Sequence, residues 1–198
     1  NTPASSYIER IQEGDYDSAL GLNYMANLFP HILGRVCTHP CESACRRGKI
    51  DEPVSICSLK RVAADFAEKE YPTNRLTAKK TGKKVAIIGA GPSGLAAGND
   101  LAIAGHDVTI FEALPMAGGM LSVGIPPYRL PWNKIEGAVN WVKELGIELK
   151  LNSPVRSSEE FDKLAKEYDA VYIAAGAHKS PELDISGEDL KGVLHGIT

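Results

Sequence analysis

The sequence contains no apolar run close to the roughly 20 residues that a bilayer-crossing helix requires, so no membrane insertion is expected. Its first residues, NTPASSYIERIQEG, have neither a basic start nor an apolar h-region, which excludes a secretory signal peptide there. The missing initiator Met leads us to expect that the 198 residues belong to a longer chain. Positive charge is not in excess either. Lys and Arg number 22 against 25 Asp and Glu, and the net charge of −3 argues against nucleic acid or an anionic membrane surface as the main partner. The five histidines, His31, His39, His106, His178 and His195, show no ligand spacing with one another. No Ser/His/Asp, Lys or paired-carboxylate arrangement points to nucleophilic or acid–base chemistry. Internal repeats and low-complexity tracts are absent. A hydrophobic content of 43% and a charged content of 24% are ordinary for a soluble globular protein, and the length suits one medium domain plus a small extra unit.

Cysteine is absent everywhere except in one stretch, GRVCTHPCESACRRGKIDEPVSIC, which holds Cys37, Cys41, Cys45 and Cys57. In a secreted chain four such residues could form two disulfides. Nothing here indicates secretion, and in a reducing compartment a thiol cluster reads as a metal site. The spacing is C-x3-C-x3-C-x11-C. Thiolates suit iron and zinc alike, and the spacing leaves both open, although three even steps and a distant fourth differ from the two-plus-two pattern of zinc ribbons. Cys57 falls in the first turn of an expected helix, where the dipole favours a thiolate; beside Ile56 and Leu59 it also reads as a buried apolar residue. Arg35, Arg46, Arg47 and Lys49 would offset the negative charge of a thiolate-bound centre, or form a solvated basic face. His39, between two cysteines, reads as a supporting donor or as a loop residue.

The chain divides by pattern. Residues 1–70 are expected to be helical: Ser6-x-x-Glu9 reads as a capping box with Gly14 as a stop, and a second helix is expected over 16–27. The cysteine stretch carries Pro40, Gly48 and Pro53 and is expected to be mostly loop. A helix from Ser55 would bury Ile56, Leu59, Val62, Ala63, Phe66 and Ala67. Residues 71–83, YPTNRLTAKKTGK, read as a polar linker. From Lys84 strands alternate with helices: strands over 85–88, 108–111, 147–151 and a buried 171–175, helices over 94–104, 133–145 and 157–168, the last capped by Ser157-x-x-Glu160. That alternation predicts an α/β parallel sheet covered on both faces over 84–198.

One motif in this second region has its full context. Gly89-x-Gly91-x-x-Gly94 follows a strand and opens a helix, as a dinucleotide fingerprint does. Gly89 would permit the tight turn, Gly91 the approach of a pyrophosphate, and Gly94 close helix–strand packing, with the phosphates on the helix N-terminus. Glu112 ends the next strand and could accept from a ribose 2′-OH, which favours FAD or NAD over NADP. Paired Gly118-Gly119 and the Pro-punctuated loop SVGIPPYRLP tip the reading to FAD. Gly176 ends the last strand at a further point of backbone approach.

The set GRVCTHPCESACRRGKIDEPVSIC, AIIGAGPSGLAAGNDLAIAGHDVTIFEA, AGGMLSVGIPPYRLP and DAVYIAAGA closely resembles the small (β) subunits of NADPH-dependent glutamate synthases and is similar to the N-terminal half of dihydropyrimidine dehydrogenase. The likeness implies an α-helical [4Fe–4S] domain followed by a Rossmann-like FAD domain, incomplete in this sequence. It implies an NAD(P)H-dependent oxidoreductase in which NAD(P)H reduces FAD and electrons leave singly through [4Fe–4S] clusters to a partner redox subunit, in a reducing cytoplasm. Cofactors would then carry the chemistry and the protein would position them. By the same likeness Gly89, Ala90, Gly91, Pro92, Ser93 and Gly94 would contact the FAD phosphates and Glu112 the ribose. Gly118, Gly119 and Met120 would line the flavin, with Arg129 near it and Val155 near the adenine. Cys37, Cys41, Cys45 and Cys57 would bind the cluster, or Cys37, Cys41 and Cys45 would instead be shared between clusters with upstream cysteines. The sequence departs from the family in lacking an upstream Cys-rich motif, a second G-x-G-x-x-G for NAD(P)H and a C-terminal Gly-Asp, and in placing Lys60 where two-cluster members carry a Gln or Glu ligand. A non-catalytic relay or docking subunit, and a zinc-stabilised nucleotide-binding module, are the alternative readings.

Overall fold

A computed structural model describes residues 2–69, 71, 75, 77–178 and 180–194; His195 and residues 72–74 and 76 of the expected linker lie outside that set. The first helix, α1 (Ala4–Gln12), starts directly after Pro3, whose carbonyl accepts from Tyr7 N at 3.2 Å. Ser6 and Glu9 therefore sit inside α1 and form no capping box. Proline's restricted φ starts the turn three residues early, so Ser6 never has the extended backbone that capping requires. Gly14, at φ +80°, closes the helix as expected, with Gly14 N on Ile11 O and Asp15 N on Arg10 O. Asp15 then caps α2 (Tyr16–Tyr24) by accepting from Ser18 N. This helix stops short of Asn27, because the Asn27 side chain bonds Asn23 O and accepts from Phe29 N, competing with the helical ladder.

The cysteine stretch is more regular than expected. It follows α3 (Pro30–Val36) and contains α4 (Pro40–Ser43) and a 3₁₀ turn, Arg46–Lys49, before α5 (Ile56–Phe66). Pro40 opens α4 rather than breaking it, since the first helical residue has no intrahelical N–H bond to lose. A Cβ on Gly34 would lie 2.8 Å from Arg61 Cα, so α3 and α5 touch backbone to backbone only because residue 34 is glycine. Tyr7, Ala19 and Ala63 form the small core of this bundle. Phe66, expected inside, is 64% exposed and lies against Tyr16 at the surface, because the buried side of α5 is filled by Ala63 and Ala64.

The second part holds β1 (Lys84–Ile88), α6 (Pro92–Ile103), β2 (Asp107–Phe111), α7 (Met120–Val123), α8 (Trp132–Lys143), β3 (Glu148–Lys150), α9 (Ser158–Glu167) and β4 (Ala170–Ile173). All strands are parallel, in the order β3-β2-β1-β4, with Ile87 opposite both Ile110 and Tyr172. The chain thus runs outward from β1 in one direction and returns to pair on its other side, which makes the carboxyl end of β1 a switch point. Val85, Ile87, Val108, Ile110, Leu95 and Val142 are among the buried core. Ser157 and Glu160 form both halves of the expected capping box on α9. The last strand differs from expectation: Tyr172 is 42% and Ile173 63% exposed. Among the described residues β4 is an edge strand, and its apolar composition alone does not cover it.

Residues on either side of the connection are fastened down. Tyr71 lies against Tyr24, His31 and Trp141. The Arg75 guanidinium stacks 3.5 Å from the Trp141 ring and donates to the Trp141 carbonyl. Ala78 N bonds Ile103 O and Thr81 N bonds Gly105 O. Leu28 and Ile32 from the helical part belong to the same core cluster as α8. No helix is long and apolar enough to cross a membrane among the described residues.

Candidate functional site

A cavity of about 700 Å³ opens at the carboxyl ends of β1, β2 and β4. Glycines shape it, each for a different reason. Gly89 stands at φ +106°, and a Cβ there would meet Ala174 O at 2.3 Å. A Cβ on Gly94 would lie 1.9 Å from Gly89 O. These two are required by the protein's own packing. Gly91 is different: its Cβ would meet nothing closer than Gly119 Cα at 3.9 Å, and it faces the cavity. The fold itself does not demand glycine at 91, so the open space beside it is available to a ligand. Gly119, at φ +55°, approaches Gly91 from across the cavity, where its own Cβ would lie 2.9 Å from Gly91 Cα.

Glu112 is 6% exposed and also lines the cavity. Its Oε2 accepts from Ala90 N at 2.7 Å and its Oε1 from Leu114 N at 2.9 Å. Each oxygen keeps a further lone pair, so the carboxylate can still accept from ligand hydroxyls. Its present bonds hold the glycine loop against the turn after β2, and Gly118 N adds a bond to Ala90 O at 2.8 Å.

The structure brings Gly89, Gly91, Pro92, Ser93, Glu112, Gly119, Met120 and Val155 together around this one cavity. Ala90, Gly94 and Gly118 stand behind its wall rather than in it. Arg129 is outside the lining and exposed, in the turn before α8. Sequence reasoning missed Arg156 and His178, the two basic side chains of the lining. Both follow strand ends, and the rule that ligands gather at the carboxyl edge of a parallel sheet could have found them.

The thiols lie around the junction of α3, α4 and α5. Cys37 ends α3 and accepts from His39 N at 3.3 Å. His39 acts here through its backbone, in the left-handed region at φ 45°, while its ring Nδ1 lies 3.1 Å from Glu42 Oε2. The other Glu42 oxygen accepts from Cys57 N at 2.8 Å, so Glu42 caps the first turn of α5, where Ser55 makes no side-chain cap. Cys57 Sγ lies 3.5 Å from Leu33 O. Burial pushes the Cys57 thiol up, and the nearby Cys37, Glu42 and Cys41 add to this. Burial likewise raises Tyr7, with contributions from Cys41, Cys57 and Glu42; its hydroxyl donates to Ile56 O. Cys45 stands in a contrasting setting. Backbone N–H groups of Val54, Arg47 and Gly48 and the charge of Arg47 hold its thiol below the ordinary value. Sulfur atoms that receive backbone N–H bonds are suited to metal ligation, because those bonds favour the thiolate. Among the described residues no three Cys, His, Asp or Glu side chains are drawn around one ion-sized point. Of the four basic residues nearby, Arg35 is bonded to Asp65 and Arg47 to Asp51.

The geometry defines a class: a parallel α/β dinucleotide-binding fold preceded by a cysteine-bearing helical segment. Residues 83–198 match the family model for pyridine nucleotide-disulphide oxidoreductases, and residues 1–71 match the one for dihydropyrimidine dehydrogenase domain II, 4Fe–4S cluster. The chain belongs to the pyridine nucleotide-disulphide oxidoreductase family, with a segment of the 4Fe–4S domain type in front. It is 44% identical to the NADP(+)-dependent formate dehydrogenase subunit beta of Moorella thermoacetica, over 93% of this chain and 29% of that one. It is 39% identical to the NADPH-Fe(3+) oxidoreductase subunit beta of Geobacter sulfurreducens, over 96% of this chain and 29% of that one. Identity to the glutamate synthase [NADPH] small chain of Bacillus subtilis is 39%, over 94% of this chain and 38% of that one. The chain thus spans well under half the length of these relatives. Among solved structures, Mycobacterium tuberculosis FprA in complex with NADPH matches 57% of this chain and 27% of its own, with 29% identity and a TM-score of 0.53. A 2-naphthoyl-CoA reductase complex matches 67% of this chain and 19% of its own, with 32% identity and a TM-score of 0.51.

Proposed function

We propose that this chain is the FAD- and cluster-binding part of an NAD(P)H-dependent oxidoreductase subunit that passes electrons to a partner redox subunit in a reducing cytoplasm. The observation that carries the reading is Gly91, whose missing side chain leaves open space in a cavity at the switch point of the sheet. When bound there, FAD supplies a centre that accepts a hydride and can release electrons one at a time. The protein's part is to bind and orient. Gly89, Ala90, Gly91, Pro92, Ser93 and Gly94 present the start of α6 to the pyrophosphate, where free N–H groups and the helix dipole favour negative charge. Glu112 accepts from the ribose hydroxyls while keeping its bonds to Ala90 and Leu114. Val155 would hold the adenine side and Gly119 and Met120 the flavin side of FAD, while Gly118, behind the wall, would support Gly119, and Arg129, outside the lining, would reach the flavin only from the turn before α8. Cys37, Cys41, Cys45 and Cys57 supply thiolates for [4Fe–4S] chemistry. Cys37 and Cys41 both lie near enough to Cys57 to oppose its ionisation, and Cys45 lies in its own N–H-rich turn. The division is a helical 1–70 unit, a 71–83 connection and an FAD unit over 84–198, with NAD(P)H held on a domain outside this sequence.

The visible spectrum of the anaerobically purified full-length polypeptide tests the reading. Flavin bands that bleach on addition of NADH or NADPH, together with a broad iron–sulfur absorbance, are expected. A colourless protein that releases no flavin on extraction contradicts it.

A further inference from the structure

Two residues reach toward each other across the switch point. Ser93 is the second residue of α6, in a position the glycine fingerprint leaves variable, and it lines the cavity. Tyr172 lies on β4, opposite Ile87, and is not part of the lining. Their hydroxyl oxygens are 2.8 Å apart, so either can donate.

We propose that Tyr172 is a positioning residue for anion binding: it donates its phenolic proton to Ser93 Oγ, so that the Ser93 hydroxyl proton is turned toward a phosphate oxygen of the bound dinucleotide. This inference rests on the FAD reading above and deepens it.

Proton direction decides what Ser93 can offer an anion. A serine hydroxyl has one proton to give. If Ser93 gave it to Tyr172, it would present only lone pairs to an anion in the crevice, which is repulsive. An anion therefore selects the order Tyr172 O–H to Ser93 Oγ, then Ser93 O–H to phosphate. Successive bonds in such a chain polarise one another, so a Ser93 that already accepts is the better donor. The contact also fixes the Ser93 side chain before the ligand arrives, which lowers the ordering cost of binding. The placement matters because β4 is a sheet edge among the described residues: Tyr172 couples that edge to the first turn of the phosphate-binding helix. Arg156 and His178 are the basic side chains of the lining. A correctly pointed hydroxyl on α6 adds to the helix N–H groups without placing a further charge there.

The test is a double-mutant cycle on FAD affinity, using the full-length native polypeptide stripped of flavin. FAD is titrated into wild type, Y172F, S93A and the double variant, and melting of the flavin-free forms is followed in parallel. Y172F keeps the ring and removes only the donor. The net worth of one hydrogen bond predicts an affinity loss of about 3- to 10-fold for Y172F. S93A should lose at least as much, and the double variant should be no weaker than S93A, because the two residues act as one unit. Flavin-free Y172F should melt close to wild type. A Y172F protein that binds FAD within about twofold of wild type overturns the proposal, as do losses that add in the double variant. A wild-type chain that binds no FAD overturns the parent reading and this proposal with it.

Discussion

The glycine-lined cavity and the cysteine junction make opposite use of local sequence. In the cavity, the glycine loop offers backbone, and its three glycines, Gly89, Gly91 and Gly94, lie within one short stretch of sequence. At the junction, the groups are side chains from α3, α4 and α5, and they meet only because Gly34 lets two helices touch and Glu42 ties one cysteine-bearing turn to another. The first site is built by what is missing from its residues, the second by what its residues bring from separate elements. A site of the first kind can be damaged in function without damage to the fold; at the second, fold and site fail together.

The largest contrast is expected within the fingerprint itself. A Cβ at Gly94 would meet backbone at 1.9 Å, so G94A should destabilise the flavin-free protein by about 3 kcal/mol or more and leave little folded material. A Cβ at Gly91 has room, so G91A should melt within about 0.5 kcal/mol of wild type yet fail to retain FAD. Thermal unfolding of flavin-free protein alongside flavin retention separates the two; equal stability losses would show that Gly91 too is a packing glycine.

Glu112→Gln comes next. The amide must turn an NH₂ toward the N–H of Ala90 or Leu114, which leaves a buried donor unpaired and costs about 1–3 kcal/mol in urea unfolding, with weaker FAD binding. At the cysteine junction, G34A should push α3 from α5 against a contact of 2.8 Å and destabilise the helical part by about 1–3 kcal/mol. Iron and acid-labile sulfide content should fall in the same variant; full cluster content would separate the helix contact from the site.

The smallest effect concerns pH. Burial opposes ionisation of Asp65, but hydrogen bonds from Arg35 and Arg61 outweigh it and hold the carboxyl below its ordinary value. A lowered value means the folded state releases this proton more readily than the unfolded one. The stabilisation is therefore present above the unfolded carboxylate value and is lost as pH falls through the folded value. D65N should lose this stabilisation at and above neutrality and converge on wild type as pH falls, which flattens the acid limb of the stability curve measured by urea midpoints.

What could be read from the residues follows the same divide. The Ser157–Glu160 box forms and the identical-looking Ser6–Glu9 pair does not, because Pro3 starts α1 first; the pattern is local but the competition for the helix start is not contained in it. Gly89 and Gly94 were legible from the fingerprint spacing; the constraint on Gly94, Gly89 O, is local, whereas the Ala174 carbonyl that forbids a side chain at 89 arrives through strand pairing. Arg156 and His178 were not legible, because they meet the glycine loop only through strand pairing. The exposure of Ile173 was hidden for a related reason: an apolar strand looks the same at the edge of a sheet as at its centre, and only the order β3-β2-β1-β4 reveals which it is. Four thiols near one another were plain from spacing, whereas the setting of each one, Cys57 under α3 and Cys45 among three N–H groups, belongs to tertiary structure.

Cofactor content decides whether one polypeptide carries both a flavin site and an iron–sulfur site. Anaerobically isolated full-length protein is denatured and assayed for released FAD, iron, acid-labile sulfide and zinc. FAD together with iron and sulfide, the last two in equal amounts, is expected. Zinc without sulfide, or iron and sulfide without FAD, would contradict this.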